Sequence, residues 1–450
     1  MPDMMRVDTA NIGEEDRKGM DLVKQRVEQR NAAKGAAGDM ETQEEEELDE
    51  EAAKKREKQK ELDGLATTLH EIGAVLDAKG NRDGALRYLH HSLKLQRELH
   101  GDDANDPGIA TTLHDIGMVL NDKGDCDGAL DYLQQSLRMH TSIHGNGAVH
   151  SQIAPTLHEI GRVLAHKGDH KGALEYLQRS LDMNKKLHGD LIAHPGIAAT
   201  LHVIGRVFNA VNKHEKALQY LDQALKMKRQ IHGVNAVHSA IAITLHAIGM
   251  VLVHKGKNDG ALKYLGEALA MKRQIQGADA VDSGIATTMH VMGSVLAHKG
   301  DHDSALRYLE SALRMKRQIH GKDAVHSGIA ATLHVVGRVR RAINDYSGAM
   351  QYLQSSLRMK RTIHGAQAVH PGIASTLYEM GAVMNATGEY QEALRHLKQA
   401  LAMRQNLNRR DGNGTSGAQA GPTHDPEVVA IMHEMGIALA KSGDRVQAVQ

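Results

Sequence analysis

Thirty histidines stand in this chain of 450 residues, and one series of them keeps a fixed interval. The series is tagged by Leu69-His70, Leu113-His114, Leu157-His158, Leu201-His202, Leu245-His246, Met289-His290, Leu333-His334, Leu377-Tyr378 and Met432-His433, with 44 residues between successive tags and 55 at the last step. Imidazole offers three chemistries: it ligates metals, it takes up a proton near pH 6.5, and it donates or accepts hydrogen bonds. A zinc site needs three or four ligands converging within about 2.3 Å of one point. Equivalent residues of stacked helical units stand roughly 10 to 20 Å apart, too far to share an ion. His166 with His170, and His298 with His302, supply loop pairs with no cysteine beside them, so no metal site is expected. His70-Glu71, His158-Glu159 and His433-Glu434 lack the second histidine four residues on that a zinc-protease helix carries. No glycine-rich phosphate loop, nucleophile elbow or carboxylate pair stands out either. The histidines are therefore read as hydrogen-bonding and charge-carrying groups of a protein with no catalytic residues and no cofactor.

A period of 44 residues means stacked supersecondary units, which need no single large core. In the unit from residue 66 to 109, Leu69, Ile72, Gly73 and Leu76 mark one face of a first helix, A. Lys79-Gly80-Asn81 closes it with a C-terminal glycine and a capping residue. A second helix, B, carries Ala85, Tyr88, Leu89, Ser92, Leu93 and Leu95 at helical intervals and runs to a stop at His100-Gly101. Asp106-Pro107, His194-Pro195 and His370-Pro371 then place proline in the first turn of the next A helix. Each unit is thus a helical hairpin. Glycine recurs inside every A helix, from Gly73 and Gly117 to Gly381 and Gly436, although it costs about 1 kcal/mol there relative to alanine. Alanine recurs at the start of every B helix, from Ala85 to Ala448, so the two backbones are expected to approach closely at these sites.

Composition narrows the classes further. Fifty-five basic and 55 acidic residues balance, which gives no overall attraction to nucleic acid or to an anionic membrane. One cysteine, Cys126, excludes an internal disulfide framework. No run approaches the roughly 18 apolar residues of a membrane helix, and the charged start is unlike a secretory signal, so a cytoplasmic protein is expected. Residues 1 to 62 stand outside the repeat as a charged segment, disordered or a solitary helix, with disorder expected over Met1 to Met40. Residues 63 to 450 hold eight complete hairpins and a truncated ninth, with a flexible insertion at 409 to 421. The ninth unit stops at Gln450, two residues after Ala448, which reads as a chain cut short.

These units resemble the tetratricopeptide repeat: a small residue inside helix A, alanine opening helix B, and Ala or Ser seven residues later (Ser92, Ser136, Ser180, Ala224, Ala268, Ala312, Ser356, Ala400). The long period and the linker of the type Leu187-His188-Gly189 to His194-Pro195-Gly196 are similar to the kinesin-light-chain subtype, which nephrocystin-type proteins share. The resemblance covers residues 65 to 450 and implies an all-α fold, a right-handed superhelical solenoid of tandem hairpins. It also implies a protein-interaction adaptor that holds an extended peptide in a concave groove walled by the A helices. Two departures bear on partners. The family commonly shows asparagine where this chain has its histidine series. Residues 1 to 62 also lack the heptads with which kinesin light chains hold the kinesin heavy chain, which speaks against motor binding.

Carried over position by position, the implied groove is lined by His70, His114, His158, His202, His246, His290 and His334, with Tyr378 and His433. One turn on stand Arg162, Arg206 and Arg338, followed by Asn121, Asn209, Arg341 and Asn385 and then His166, His254 and His298. Asp77 and Asp122 are the acids set against them. A donor-rich wall of this kind suits an acidic or carboxylate-bearing peptide, and protonation of the ladder is expected to strengthen its binding as pH falls. The other reading of each histidine is a hydrogen-bond cap between helices or a relic of duplication. Lys226, Lys228 and Arg229, then Lys272 and Arg273, Arg314, Lys316 and Arg317, and Arg358, Lys360 and Arg361 form a basic ridge at the end of helix B. The ridge is read as a solvated face rather than a nucleic-acid site, because no aromatic side chain interleaves it. The alternative for the whole chain is an architectural spacer or oligomerisation module with no groove ligand.

Overall fold

The computed structural model describes residues 41–101, 104–189, 192–412 and 425–443. It forms two compact bodies, Met1–Val211 and Asn212–Gln450. The first holds α1 (Glu41–Ala78), α2 (Arg82–His100), α3 (Pro107–Lys123), α4 (Cys126–His144), α5 (Ile153–Lys167), α6 (His170–His188) and α7 (Pro195–Ala210). The second holds α8 (His214–His232), α9 (Ser239–His254), α10 (Asn258–Gln276), α11 (Ser283–His298), α12 (His302–His320), α13 (Ser327–Ala342), α14 (Tyr346–His364), α15 (Pro371–Thr387), α16 (Tyr390–Gly412) and α17 (Pro426–Ser442). Odd-numbered helices are the A helices and even-numbered ones the B helices. No strand occurs among the described residues.

The breaks between A and B helices rest on two local devices. Gly124, Gly168 and Gly388 end their A helices in the left-handed region, with φ of 90°, 87° and 88°. Asn212 and Asn344 take the same conformation, with φ of 59° and 64°, where the repeat has no glycine, since asparagine tolerates it next best. Asn81, Asp125, Asp169, Asp301 and Asp345 then cap the B helices by accepting the backbone N–H three residues on, each worth about 1 kcal/mol. Pro107, Pro195 and Pro371 sit in the first turn of an A helix, where a missing N–H leaves nothing unpaired.

The recurrent glycine explains how a hairpin closes. A Cβ at Gly117 would stand 2.6 Å from Leu133 Cγ and 3.1 Å from the Ala129 carbonyl. At Gly337 the same distances, to Leu353 and Ala349, are 2.7 and 3.2 Å, and Gly73, Gly161, Gly249, Gly293 and Gly381 repeat the arrangement. The close approach at the glycine–alanine pair is present, and the buried leucine four residues past the alanine fills the space that a side chain would take. Ser92, Ser136, Ser180 and Ser356 tie the same seam by donating to the carbonyls of Ala66, Ala110, Ala154 and Ala330 at 2.7, 2.7, 2.7 and 2.8 Å.

Within each body, consecutive A helices touch: α1, α3, α5 and α7 in the first, α9 through α17 in the second. The B helices approach one another less, so the A helices make the tighter wall. One helix, α1, runs across position 62 and joins the charged segment to the first A helix. Helix α16 continues to Gly412, so the start of the expected insertion is helical. The remainder of that insertion, the expected disorder over Met1 to Met40 and the end of the ninth hairpin lie outside the described residues. No helix among the described residues is long and apolar enough to cross a membrane.

Candidate functional site

The histidine ladder runs along the A helices, and its rings bond to the next hairpin. In the first body, Nδ1 of His70, His114 and His158 lies 3.1, 3.2 and 3.0 Å from Oγ1 of Thr112, Thr156 and Thr200. In the second, His246, His290 and His334 repeat the bond to Thr288, Thr332 and Thr376 at 3.1, 3.2 and 3.1 Å. Each threonine is buried two residues ahead of the next tag. Each of these six rungs is therefore a stitch between neighbouring A helices. Burial is the main cause that pushes His158 and His290 down to about 4 and His334 to about 3, and it lowers His114 as well. Nearby cations add to it: Arg162 beside His158, Lys316 and Arg338 beside His290, Lys360 and Arg338 beside His334. These rings stay neutral at physiological pH. At these four rungs the expectation that the ladder gains charge and grips acidic ligands as pH falls is overturned. His202 is buried, Tyr378 is half-buried with its phenol pushed up by burial and then by Glu379, and His433 is exposed.

The arginines divide into paired and unpaired. Arg162 bonds Asp122 at 3.0 Å through its terminal nitrogen, and its Nε lies 2.9 Å from Glu159. It also stands over Asn121, whose amide, turned to suit both neighbours, donates to His166 and accepts from Arg162. Arg341 Nε lies 2.9 Å from Glu379, and Asn385 donates to the carbonyl and carboxylate of Glu434 at 2.9 and 2.8 Å. His70 Nε2 lies 3.1 Å from Asp115. Asn209 is half-buried. Arg206 and Arg338 have no ion-pair partner among the described residues, and both stand one turn beyond a ladder histidine.

Sequence reasoning left four acids out of the wall's charge balance. Asp115, Glu159, Glu379 and Glu434 each follow a tag residue directly, a signal in plain view that the count of donors passes over. Glu159 is buried, which pushes its carboxyl up to about 7 against the opposing pull of Arg162. Burial, then Asp122, raises Asp77 in the same stretch. Charge on the wall is thus largely compensated, and Arg206 and Arg338 are what remains.

The basic ridge also needs correction. Lys228, Lys272, Lys316 and Lys360 are not on a solvated face but reach into the seam toward the next A helix. Their Nζ atoms donate to the carbonyls of Ala240, Gly284, Gly328 and Gly372 at 3.2, 2.9, 3.0 and 2.9 Å. They donate equally to Oγ1 of Thr244, Thr288, Thr332 and Thr376 at 2.8, 2.9, 2.8 and 2.7 Å. Burial lowers Lys272 and brings Lys228, Lys316 and Lys360 to about 8. A threonine in the second body thus joins a ladder histidine to a seam lysine, as Thr332 joins His290 to Lys316.

A cavity of about 90 Å³ opens beside Arg206, bounded by Arg162, His166, His170, Val203 and Val207. His166 Nδ1 is engaged by Asn121, whereas His170 Nδ1 is buried without a hydrogen-bond partner among the described residues. Of the loop pair His298 and His302, His298 Nδ1 bonds the Ser294 carbonyl at 2.8 Å, and His302 Nδ1 is buried without a hydrogen-bond partner among the described residues. Among the described residues, no three His, Cys, Asp or Glu side chains come together as metal ligands.

A model of the tetratricopeptide repeat matches residues 64–142, 152–230, 240–318 and 284–362, and a second model of that repeat matches residues 373–411. Among solved structures, the chain is similar to the apo form of the quorum sensor NprR from B. thuringiensis, at 16% identity over 83% of this chain and 96% of that one, with a TM-score of 0.53. It is also similar to a protein described as a kinesin light chain with nearly identical TPR-like repeats from Podosopora anserina, at 18% identity over 48% of this chain and 98% of that one, with a TM-score of 0.39. The first likeness shows a shared fold. No curated protein sequence matches.

Proposed function

Because the chain belongs to the tetratricopeptide repeat family, we propose that it is a non-enzymatic protein-interaction adaptor whose A-helix wall holds an extended, acidic peptide. Stacked hairpins of this family present an extended inner surface on which many small contacts can add up. The observation that carries the acidic preference is the pair of uncompensated guanidinium groups, Arg206 in the first body and Arg338 in the second, on a wall whose other arginines are already ion-paired. A planar guanidinium with free donors takes a carboxylate through two parallel bonds. Beside Arg206, Val203 and Val207 offer apolar cover to the aliphatic part of such a ligand. The spacer reading draws on the opposite fact: the ladder histidines are occupied by their neighbours and leave little hydrogen-bonding capacity on the wall.

Direct binding separates the two readings. Fluorescein-labelled glutamate-rich peptides and neutral peptides of equal length are titrated with the parent chain and with the Arg206→Glu, Arg338→Glu double variant. A binder favours the acidic set, and the variant weakens it at least tenfold, since a lost charge-assisted bond is worth about 1.5 to 3 kcal/mol. Equal affinity for both sets, or an unchanged variant, refutes the acidic groove. Absence of binding by any peptide leaves the spacer.

A further inference from the structure

A second histidine series lies at five of the points where a B helix hands over to the next A helix. The last residue of the B helix and a histidine six residues on stack face to face. The ring centroids of His144 and His150 are 3.5 Å apart, those of His188 and His194 and of His232 and His238 3.6 Å, those of His320 and His326 3.8 Å, and those of His364 and His370 3.7 Å. The planes deviate by only 13° to 16°.

The second ring of each pair also has a backbone duty. Nδ1 of His194, His238, His326 and His370 accepts the N–H of Gly196, Ala240, Gly328 and Gly372 at 3.2, 3.2, 3.1 and 3.0 Å, capping α7, α9, α13 and α15. His150 accepts from Gln152 in the same way at 3.3 Å. A nitrogen that accepts an N–H carries no proton of its own, so these rings are neutral with hydrogen on Nε2. That tautomer has no outward lone pair for a metal.

Protonation would act against the arrangement in three ways. It would set N–H against N–H and abolish the cap. It would place a cation at the positive end of an A helix. It would also charge a ring stacked on its partner, with a further cation close by. The groups facing the caps are His188 at His194, His320 and Lys316 at His326, and His364 and Lys360 at His370. At the His232–His238 pair the neighbour is Lys228, and at His144–His150 it is His140, stacked on the far side of His144. No acidic side chain pairs with either ring of these clasps among the described residues, so nothing there rewards a positive charge. In accord with this, burial followed by the neighbouring histidine lowers His194, His326 and His370.

We propose that the stacked histidine pairs are acid-release clasps, which at these five handovers fasten a B helix to the following A helix near neutral pH and let go between about pH 6.5 and 5. The sign follows from linkage: the unfastened state binds protons that the clasp refuses, so fastening weakens as pH falls. One pH unit below 6.5, each histidine held neutral shifts opening by up to about tenfold.

The protein contains its own controls. At the start of α11 and of α3 the cap is Asp282 or Asp106, accepting from Ile285 at 2.8 Å and Ile109 at 2.9 Å, and Gln276 stands where the first of the paired histidines would be before α11. These caps carry no imidazole, the group that ordinarily takes up its proton between neutral pH and about pH 5.5.

The test is hydrogen exchange of the full chain at pH 7.5 and 5.5, corrected for intrinsic rates, read peptide by peptide. Protection of the first turns of α7, α9, α13 and α15 falls at least fivefold on acidification, and that of α3 and α11 does not. The exchange of devices provides the second measurement: His320→Gln with His326→Asp removes the acid response of α13, and Gln276→His with Asp282→His confers one on α11. Uniform loss at all these turns, or an α13 that still loosens after the swap, overturns the proposal.

Discussion

Replacing His334 by asparagine tests whether the ladder histidines are buried stitches or exposed ligand groups. Asparagine carries an amide nitrogen on Cγ, where imidazole carries Nδ1, so the bond to Thr376 at 3.1 Å can be kept while titration is removed. In the folded chain burial holds His334 at about 3, against about 6.5 in the unfolded chain. The unfolded state therefore takes up the proton first, and stability is lost as pH falls below about 6.5. Working the two values through linkage gives a loss of about 2 kcal/mol between pH 7.5 and 5 from this one ring. Such a loss is large beside a typical net stability of about 5 to 15 kcal/mol. His334→Asn is expected to start about 1 to 2 kcal/mol lower at pH 7.5, because the smaller side chain leaves a gap, and then to lose about 2 kcal/mol less than the parent on acidification. Urea unfolding followed by circular dichroism at both pH values, at constant ionic strength, measures the difference. Equal losses in parent and variant would refute the stitch, since a ring that protonates at no cost must already face solvent or a ligand.

Two further outcomes follow from the packing. Gly249→Ala puts a methyl 2.7 Å from Leu265 Cγ and is expected to lower the melting temperature despite better helix propensity, whereas Gly266→Ala in the partner helix meets nothing within 4 Å and should raise stability by about 0.5 to 1 kcal/mol. The same sign for both in thermal melts would contradict the close seam. His140→Lys should reach the Gln152 carbonyl and Thr156 Oγ1 as Lys316 reaches Gly328 and Thr332, removing a buried Nδ1 that has no partner among the described residues and a ring that burial lowers to about 4. The melting temperature then holds at pH 7.5 and rises at pH 5.5; a drop at both would show that the seam does not accept the cation there.

The hairpins are legible in the sequence because their signals are local. The left-handed stop at Gly124, the cap at Asp125 and the proline at Pro107 each act within one turn, and repetition multiplies them until chance is excluded. The glycine–alanine seam is legible for a related reason: a propensity penalty repeated at the same place demands a packing cause, and Leu133 against Gly117 supplies it. The ladder is only half legible. Its rings and spacing are plain, but the partner of His158 is Thr200 on the next A helix, and the choice between free donor and internal stitch depends on which hydroxyl the stacking delivers.

The seam position shows why the remainder stays hidden. Gln96, His140, Asn184, Lys228, Lys272, Lys316, Lys360 and Arg404 occupy one register of helix B, and read along that helix alone the lysines belong to a basic ridge. Only the arrival of the next A helix turns the position inward, where Lys228 and Lys316 are 7% exposed. A buried ammonium is tolerated there because an A-helix carbonyl and a threonine hydroxyl both accept from it. Asn184 bonds the Ser180 carbonyl of its own helix instead, and Gln96 Oε1 and His140 Nδ1 find no partner among the described residues. The junctions of one repeating fold are therefore chemically unequal. Those sealed by lysine gain bonds across the seam that those filled by Gln96 and His140 lack. Since an array of this kind opens at its weakest interface, the first body, which carries Gln96, His140 and Asn184 at this register, is expected to loosen there before the lysine-sealed seams of the second.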